Sequence, residues 1–390
     1  MFELSTDELN NLGAEITTQE IRQQPELWEE TFEIYENNKD EIEKFLNEII
    51  EKHSKVRVIM TGAGSSAYVG ESLLPYLKQH GNEKAFDFQA VATTNLVSNP
   101  KSYFKADFPT ILISYARSGN SPESIASVDL GKKLVDDFYQ ITITCALEGQ
   151  LAQNAEGDDT NFLLLMPERT NDQGFAMTGS FTCMTLSTAL IFDKASIEDK
   201  QNYVTQMIEL SNDVIARENE IEELLDTEFE RVTYLGSGVH AGIAREVQLK
   251  ILELTAGAKA TQFDSSLGFR HGPKSFVNES SVVLVFVSND AYTRQYDIDM
   301  LEELRLDEVA NTVCAIQVDT DNNFKGITFS LDEKYADLPD AYLALPYTVF
   351  GQIVSLLTAV KVGNTPDDPS ANKTVNRVVQ GVAIHENLDK

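Results

Sequence analysis

Glu246, Lys250 and Glu253 recur at intervals of four and three residues in the stretch A-R-E-V-Q-L-K-I-L-E-L-T, Ala244 to Thr255. On a helix, that spacing lines three side chains along one ridge. Two carboxylates flanking a lysine, with a histidine downstream in Arg270-His271-Gly272-Pro273, form a set that can move protons on a small molecule. A plain solvated helix face shows the same charge run, so the ridge alone does not decide the matter. Ile243, Val247, Ile251 and Leu254 recur at helical spacing on another face and are expected to meet a core. Gly257 suits a left-handed cap ending this helix, and a turn-like loop then presents His271.

A second kind of chemistry lies nearer the start. Val56 to Met60 reads as a buried strand, Thr61-Gly62-Ala63-Gly64-Ser65-Ser66 as a turn, and about Ala67 to His80 as a helix. Thr110 to Ile113 repeats the arrangement: Ser114 to Glu123 follows, with Ser121 placed to cap a helix that opens at Pro122 and reaches about Leu134. Glycines let backbone approach a ligand, and a helix N-terminus offers free N–H groups and a positive dipole end. Gly64, Ser65, Ser66, Ser118 and Ser121 are therefore candidate phosphate contacts. Capping alone would account for either turn singly, but two such turns on neighbouring strands converge on one crevice. Position 67 is Ala, so the first turn is not G-x-G-x-x-G, and no lysine follows it as in a P-loop.

The elements that must hold these residues come from a chain of 390 residues, 42% hydrophobic, with room for two domains. A formal net charge of -31 speaks against nucleic acid or anionic membrane as partner. An anionic ligand must then be held locally by N–H groups and hydroxyls. Cys145, Cys183 and Cys314 form no C-x-x-C pair and fit reduced thiols in a cytoplasm. The five histidines show no metal-ligand spacing. The acidic start lacks the pattern of a signal peptide, and no apolar run is expected to reach membrane-spanning length.

Taken in order, residues 1–52 read as a helical arm, with one long helix over Glu26 to Ile50. Residues 53–198 form a first α/β domain, 199–228 a charged helical linker, 229–365 a second domain and 366–390 a tail. The second domain restarts as the first does: Arg231 to Leu235 with Gly236-Ser237-Gly238 echoes Val56 to Gly64. Alternating strand and helix in both halves predicts two doubly wound parallel sheets.

These pieces together resemble the sugar isomerase (SIS) superfamily in tandem form, from about Val56 to Val379. The likeness is carried by T-G-A-G-S-S at Thr61 to Ser66 and S-Y-A-R-S-G-N-S-P-E-S at Ser114 to Ser124. A-R-E-V-Q-L-K-I-L-E-L-T with R-H-G-P, and N-K-T-V at Asn372 to Val375, complete it. The resemblance implies a flavodoxin-like α/β/α fold twice over and a phosphorylated sugar or amino sugar as substrate, held by Ser65, Ser66, Ser118 and Ser121. It implies that Glu253 moves a proton between C1 and C2, with Glu246 and Lys250 lining the same site. His271 would open the sugar ring from a neighbouring subunit of a homodimer or homotetramer, and Lys373 would close over the sugar. No metal or redox cofactor is implied. Ala116 stands where relatives such as glucosamine-6-phosphate synthase carry a serine, which leaves Arg117 as the candidate replacement contact.

Within the superfamily, R-S-G-N-S-P-E-S and F-R-H-G-P-K are most similar to the AgaS-type proteins of amino-sugar catabolism. That implies galactosamine-6-phosphate going to tagatose-6-phosphate and ammonia. Plain tagatose-6-phosphate ketose/aldose isomerisation and fructosamine-6-phosphate deglycation are the alternatives. A non-catalytic sugar-phosphate sensor stands further off.

Overall fold

The computed structural model describes residues 1–379 and 381–385; Gln380 and 386–390 of the expected tail lie outside them. The strands are β1 (Val56–Thr61), β2 (Phe86–Ala90), β3 (Thr110–Ala116), β4 (Phe138–Thr144), β5 (Asn161–Leu165), β6 (Arg231–Gly236), β7 (Ala260–Ser265), β8 (Ser281–Phe286), β9 (Thr312–Val318) and β10 (Ile327–Leu331). They form two five-stranded sheets, ordered β2-β1-β3-β4-β5 and β10-β9-β8-β6-β7. Every pairing is parallel. Read from β7, the second order repeats the first, so the fold is the doubly wound one, present twice. Both faces of the central strands are covered. Accordingly Val56–Thr61, Thr110–Ala116 and Ser281–Phe286 are apolar-rich and buried throughout.

The chain groups into two compact units, each assembled from separate stretches. One holds the second sheet with Met1–Glu26, Gln173–Thr178 and Glu198–Lys373; the other holds the first sheet with Leu27–Asp172, Gly179–Ile197 and Thr374 onward. In the first-sheet unit, Ile59, Leu96, Leu112, Val128 and Leu151 share one core. In the second-sheet unit, Leu235, Phe269, Val283, Val285, Met300, Leu301 and Ala315 do so.

The long helix of the arm runs Gln24–Lys52, and two shorter helices, Thr6–Leu12 and Glu15–Arg22, precede it, with Gly13 at φ 61° ending the first. The linker is likewise divided into Ile197–Ala216 and Glu218–Leu224. The strands β2, β7 and β10 were not expected; β7 is half-exposed and lacks a buried apolar run. One helix, Asp340–Lys361, is 22 residues long and apolar enough to cross a membrane, contrary to expectation. It lies largely buried within the second-sheet unit, where Val349, Phe350, Ile353 and Leu356 are core residues.

Candidate functional site

In the first sheet the chain leaves β1 for β2 on one side and β3 on the other, so the topological switch lies between β1 and β3. Both hydroxyl-bearing turns follow those two strands. A Cβ on Gly62 would come within 2.5 Å of the Ser66 backbone, so only glycine lets the turn fold this tightly. Gly64 adopts φ 58°, and the helix begins at once with Ser65 and Ser66 rather than at Ala67. Both serines are buried at the helix N-terminus. In the second turn, Ser118 accepts a long bond from the Asn120 amide (3.4 Å). Gly119 takes φ 69°. Ser121 occupies the N-cap position of helix Pro122–Leu134, yet its side chain makes no capping bond, contrary to the expected cap. The hydroxyl is thus not consumed by the helix it precedes.

Arg117 is buried beside this turn and donates from Nη2 to the Arg377 carbonyl (2.7 Å). Arg377 in turn donates from Nε to the Asp172 carbonyl (2.9 Å) and from Nη2 to Asn171 Oδ1 (3.3 Å), strapping the tail to the loop after β5. Hydroxyls, a guanidinium and a helix N-terminus at one sheet end form an arrangement suited to a phosphate.

In the second-sheet unit, helix Val239–Leu254 buries Ile243, Val247, Ile251 and Leu254 as the spacing predicts. It stops at Leu254, and the left-handed residues Ala256 and Gly257 turn the chain away. Helix Asp340–Lys361 packs on it so closely that a Cβ on Gly351 would collide with the Val247 side chain. This contact seats the ridge. Lys250 Nζ lies 3.5 Å from Glu246 Oε1 and 2.7 Å from Glu253 Oε2. Side-chain exposure is 0% for Glu246 and 1% for Lys250, against 23% for Glu253. Burying a lysine demands opposed charge, which the two carboxylates supply. Glu253 is the member that solvent, or a ligand, can reach.

His271 and Lys373 make no hydrogen bond or ion pair with these three. His271 is exposed between two short 3-10 turns, and its imidazole has no hydrogen-bond partner among the described residues. Lys373 is exposed, with φ 56°, and pairs with the Asp368 carboxylate (2.5 Å).

A buried polar cluster at the carboxyl end of the second sheet was not foreseen. Asp297, which is fully buried, accepts from Ser237 Oγ (2.5 Å), Ser266 Oγ (2.5 Å) and the Ser288 amide (3.0 Å). Asp340 accepts from Ser288 Oγ (2.5 Å) and the Asn289 amide (2.8 Å) and lies 3.3 Å from His240 Nε2. Burial pushes the Asp297 carboxyl above its ordinary range. Burial pushes Asp340 the same way, but His240, Ser288 and the Asn289 amide outweigh it and hold that carboxyl below. The available signal was the alignment of Gly236-Ser237-Gly238-Val239-His240 with Gly62-Ala63-Gly64-Ser65-Ser66. Burial also raises all three thiols, Cys145 and Cys314 to about 12, which disfavours their thiolate forms.

Residues 52–192 match the SIS domain family. The chain is 40% identical over 383 residues to D-galactosamine-6-phosphate deaminase AgaS of Shewanella sp. (strain ANA-3), covering 98% of this chain and 95% of that one. It is 41% identical over 381 residues to the AgaS deaminase of Escherichia coli, covering 95% of each. The fold matches the crystal structure of tagatose-6-phosphate ketose/aldose isomerase from Escherichia coli with a TM-score of 0.86, at 38% identity over 95% of this chain and 97% of that one. With the doubly wound fold present twice and such identity along nearly the whole length, the chain belongs to the AgaS family of SIS-domain enzymes.

Proposed function

We propose that this protein converts galactosamine-6-phosphate to tagatose-6-phosphate and ammonia. The observation that carries the reading is the buried Lys250 held between Glu246 and Glu253, with Glu253 alone accessible. A carboxylate fixed on a rigid helix by a neighbouring ammonium is a positioned general base. In the open-chain sugar, Glu253 takes the C2 proton, giving an enolamine, and returns a proton at C1. The resulting C2 imine takes up water and releases ammonia, leaving the ketose. Lys250 orients Glu253 and Glu246 completes its charge balance. Phosphate anchoring is assigned to Ser65, Ser66, Ser118, Ser121 and Arg117, and ring opening to His271. The exposed, unbonded imidazole supports a His271 that serves a second copy of the chain in a homodimer or homotetramer. Lys373 is assigned to the sugar, exchanging Asp368 for it on binding. Reduced, buried thiols support a cytoplasmic setting.

Glu253→Gln tests the assignment: ammonia release from galactosamine-6-phosphate should fall by about a thousandfold or more, while the variant still binds the sugar phosphate. Turnover within tenfold of the parent protein would place the base elsewhere. The name of the Escherichia coli structural relative supports a second reading, in which the same groups act on a C2 hydroxyl. Tagatose-6-phosphate isomerisation without ammonia release from either amino sugar would select it.

A further inference from the structure

Exposed loops are ordinarily loosely held, but the loop that carries His271 is fastened on both flanks. Before it, Phe269 is fully buried in the second-sheet core, and the Gly268 amide donates to Ser265 Oγ (3.1 Å). The residues directly around the histidine are held by ion pairs to one helix, Ala291–Asp307. Arg270 Nε meets Glu303 Oε2 at 2.6 Å, and Lys274 Nζ meets Glu303 Oε1 at 2.5 Å. Lys274 also reaches Asp307 at 2.5 Å. Each oxygen of one carboxylate thus holds a cation on one side of His271-Gly272. Lys274, and after it Arg270, hold the Glu303 carboxyl below its ordinary range, as a well-formed charge-assisted pair should. At the apex, Gly272 takes φ 120°, where other residues are strained, and the imidazole points to no partner among the described residues.

Surface ion pairs contribute little to stability one by one. A single carboxylate that bridges both sides of a loop contributes something else, because it removes the loop's freedom to swing. We propose that Glu303 is a positioning residue for His271: it clamps Arg270 and Lys274 so that the imidazole is presented in one orientation to the substrate. The inference rests on the ring-opening role assigned above to His271. Glu303 itself touches no substrate. Asp307 holds only Lys274 and cannot replace it, since among the described residues Glu303 alone forms ion pairs with both Arg270 and Lys274.

The test is a double-mutant cycle on the full-length protein, read as steady-state ammonia release from galactosamine-6-phosphate. Glu303→Ala should lower kcat about 10–100-fold, the loss typical of a misplaced catalytic group, with KM within about twofold and little change in melting temperature. His271→Ala should leave a residual rate, because sugars also open spontaneously in water. In that background Glu303→Ala should cause no further loss. Glu303→Asp, which keeps both acceptor oxygens, should recover part of kcat. If Glu303→Ala folds poorly, Arg270→Gln with Lys274→Gln removes the other half of the clamp and should give the same kcat loss. A parental kcat in either clamp variant overturns the inference, as does an equal loss with and without His271. Full activity of His271→Ala would instead remove the assigned role of the histidine, and the clamp's catalytic purpose with it.

Discussion

At the end of β1, Gly62 and Gly64 lead into a helix of 16 residues that opens with Ser65 and Ser66. At the end of β6, Gly236 and Gly238 lead into a helix that is also 16 residues long and opens with Val239 and His240. The two turns share a backbone: φ is 58° at Gly64 and 57° at Gly238. A Cβ on the first glycine of either would strike the residue four places on. What fills the crevice differs. In the first sheet, hydroxyls gather at the helix N-termini and Ser121 leaves the next helix uncapped by its side chain. In the second, Asp297 takes the hydroxyls of Ser237 and Ser266 together with the Ser288 amide. Asp340 takes Ser288 Oγ and the Asn289 amide, and Asp290 caps its own helix through the Thr293 amide (2.8 Å). There the hydroxyls of Ser237, Ser266 and Ser288 and the amides of Ser288 and Asn289 are taken by internal carboxylates.

The difference shows how a duplicated fold divides its labour. The second crevice joins the start of helix Val239–Leu254, through His240, to the start of helix Asp340–Lys361, through Asp340. Further along, the same two helices meet at Gly351 and Val247, next to Glu246 and about one turn from Lys250. The turn backbone is kept, but its surroundings now fasten two helices together.

The sharpest break would come from Asp297→Ala, which leaves the buried Ser266 hydroxyl and Ser288 amide, and the half-buried Ser237 hydroxyl, without their acceptor. Unfolding by denaturant should show a loss on the order of 3 kcal/mol. A loss under about 0.5 kcal/mol would mean the crevice is not filled in this sense. Ser121→Ala should do the opposite: KM for the sugar phosphate rises about tenfold, one lost charge-assisted bond, while stability stays within about 0.5 kcal/mol. A destabilised variant with parental KM would make Ser121 a cap, and the contrast would fail. The smallest effect is in pH. Asp340, held low, contributes stability that is present above its ordinary value of 3.8 and lost as pH falls through the depressed one. Asp297, held high, contributes in the opposite sense: its favourable term exists below 3.8 and is lost as pH rises through the raised value. Denaturant titrations from about pH 3 to 6 should therefore show Asp340→Asn flattening the acid limb. Asp297→Asn should gain on the parent protein as pH rises.

The strand–turn–helix units beginning at Val56, Thr110 and Arg231 were legible because each is local: an apolar run, a glycine turn, a helical period. The same locality placed Glu246, Lys250 and Glu253 on one ridge. Strands such as β7 and β10 were not legible, because they lie at sheet edges and are defined by pairing with β6 and β9 rather than by their own pattern. Nor was the break of the arm at Gly13, a single left-handed residue inside a helix-forming stretch.

Sequence by itself thus determined the fold class, the turn backbones and the order of residues along helix Val239–Leu254, since these follow from nearest-neighbour geometry and the 3.6-residue period. Only the tertiary structure decided that Lys250 is buried while Glu253 is not. It likewise decided that Asp297 and Asp340 close the second crevice and that Glu303 joins Arg270 to Lys274. Each of those depends on side chains that approach in space from other elements, and no local pattern in the chain records that approach.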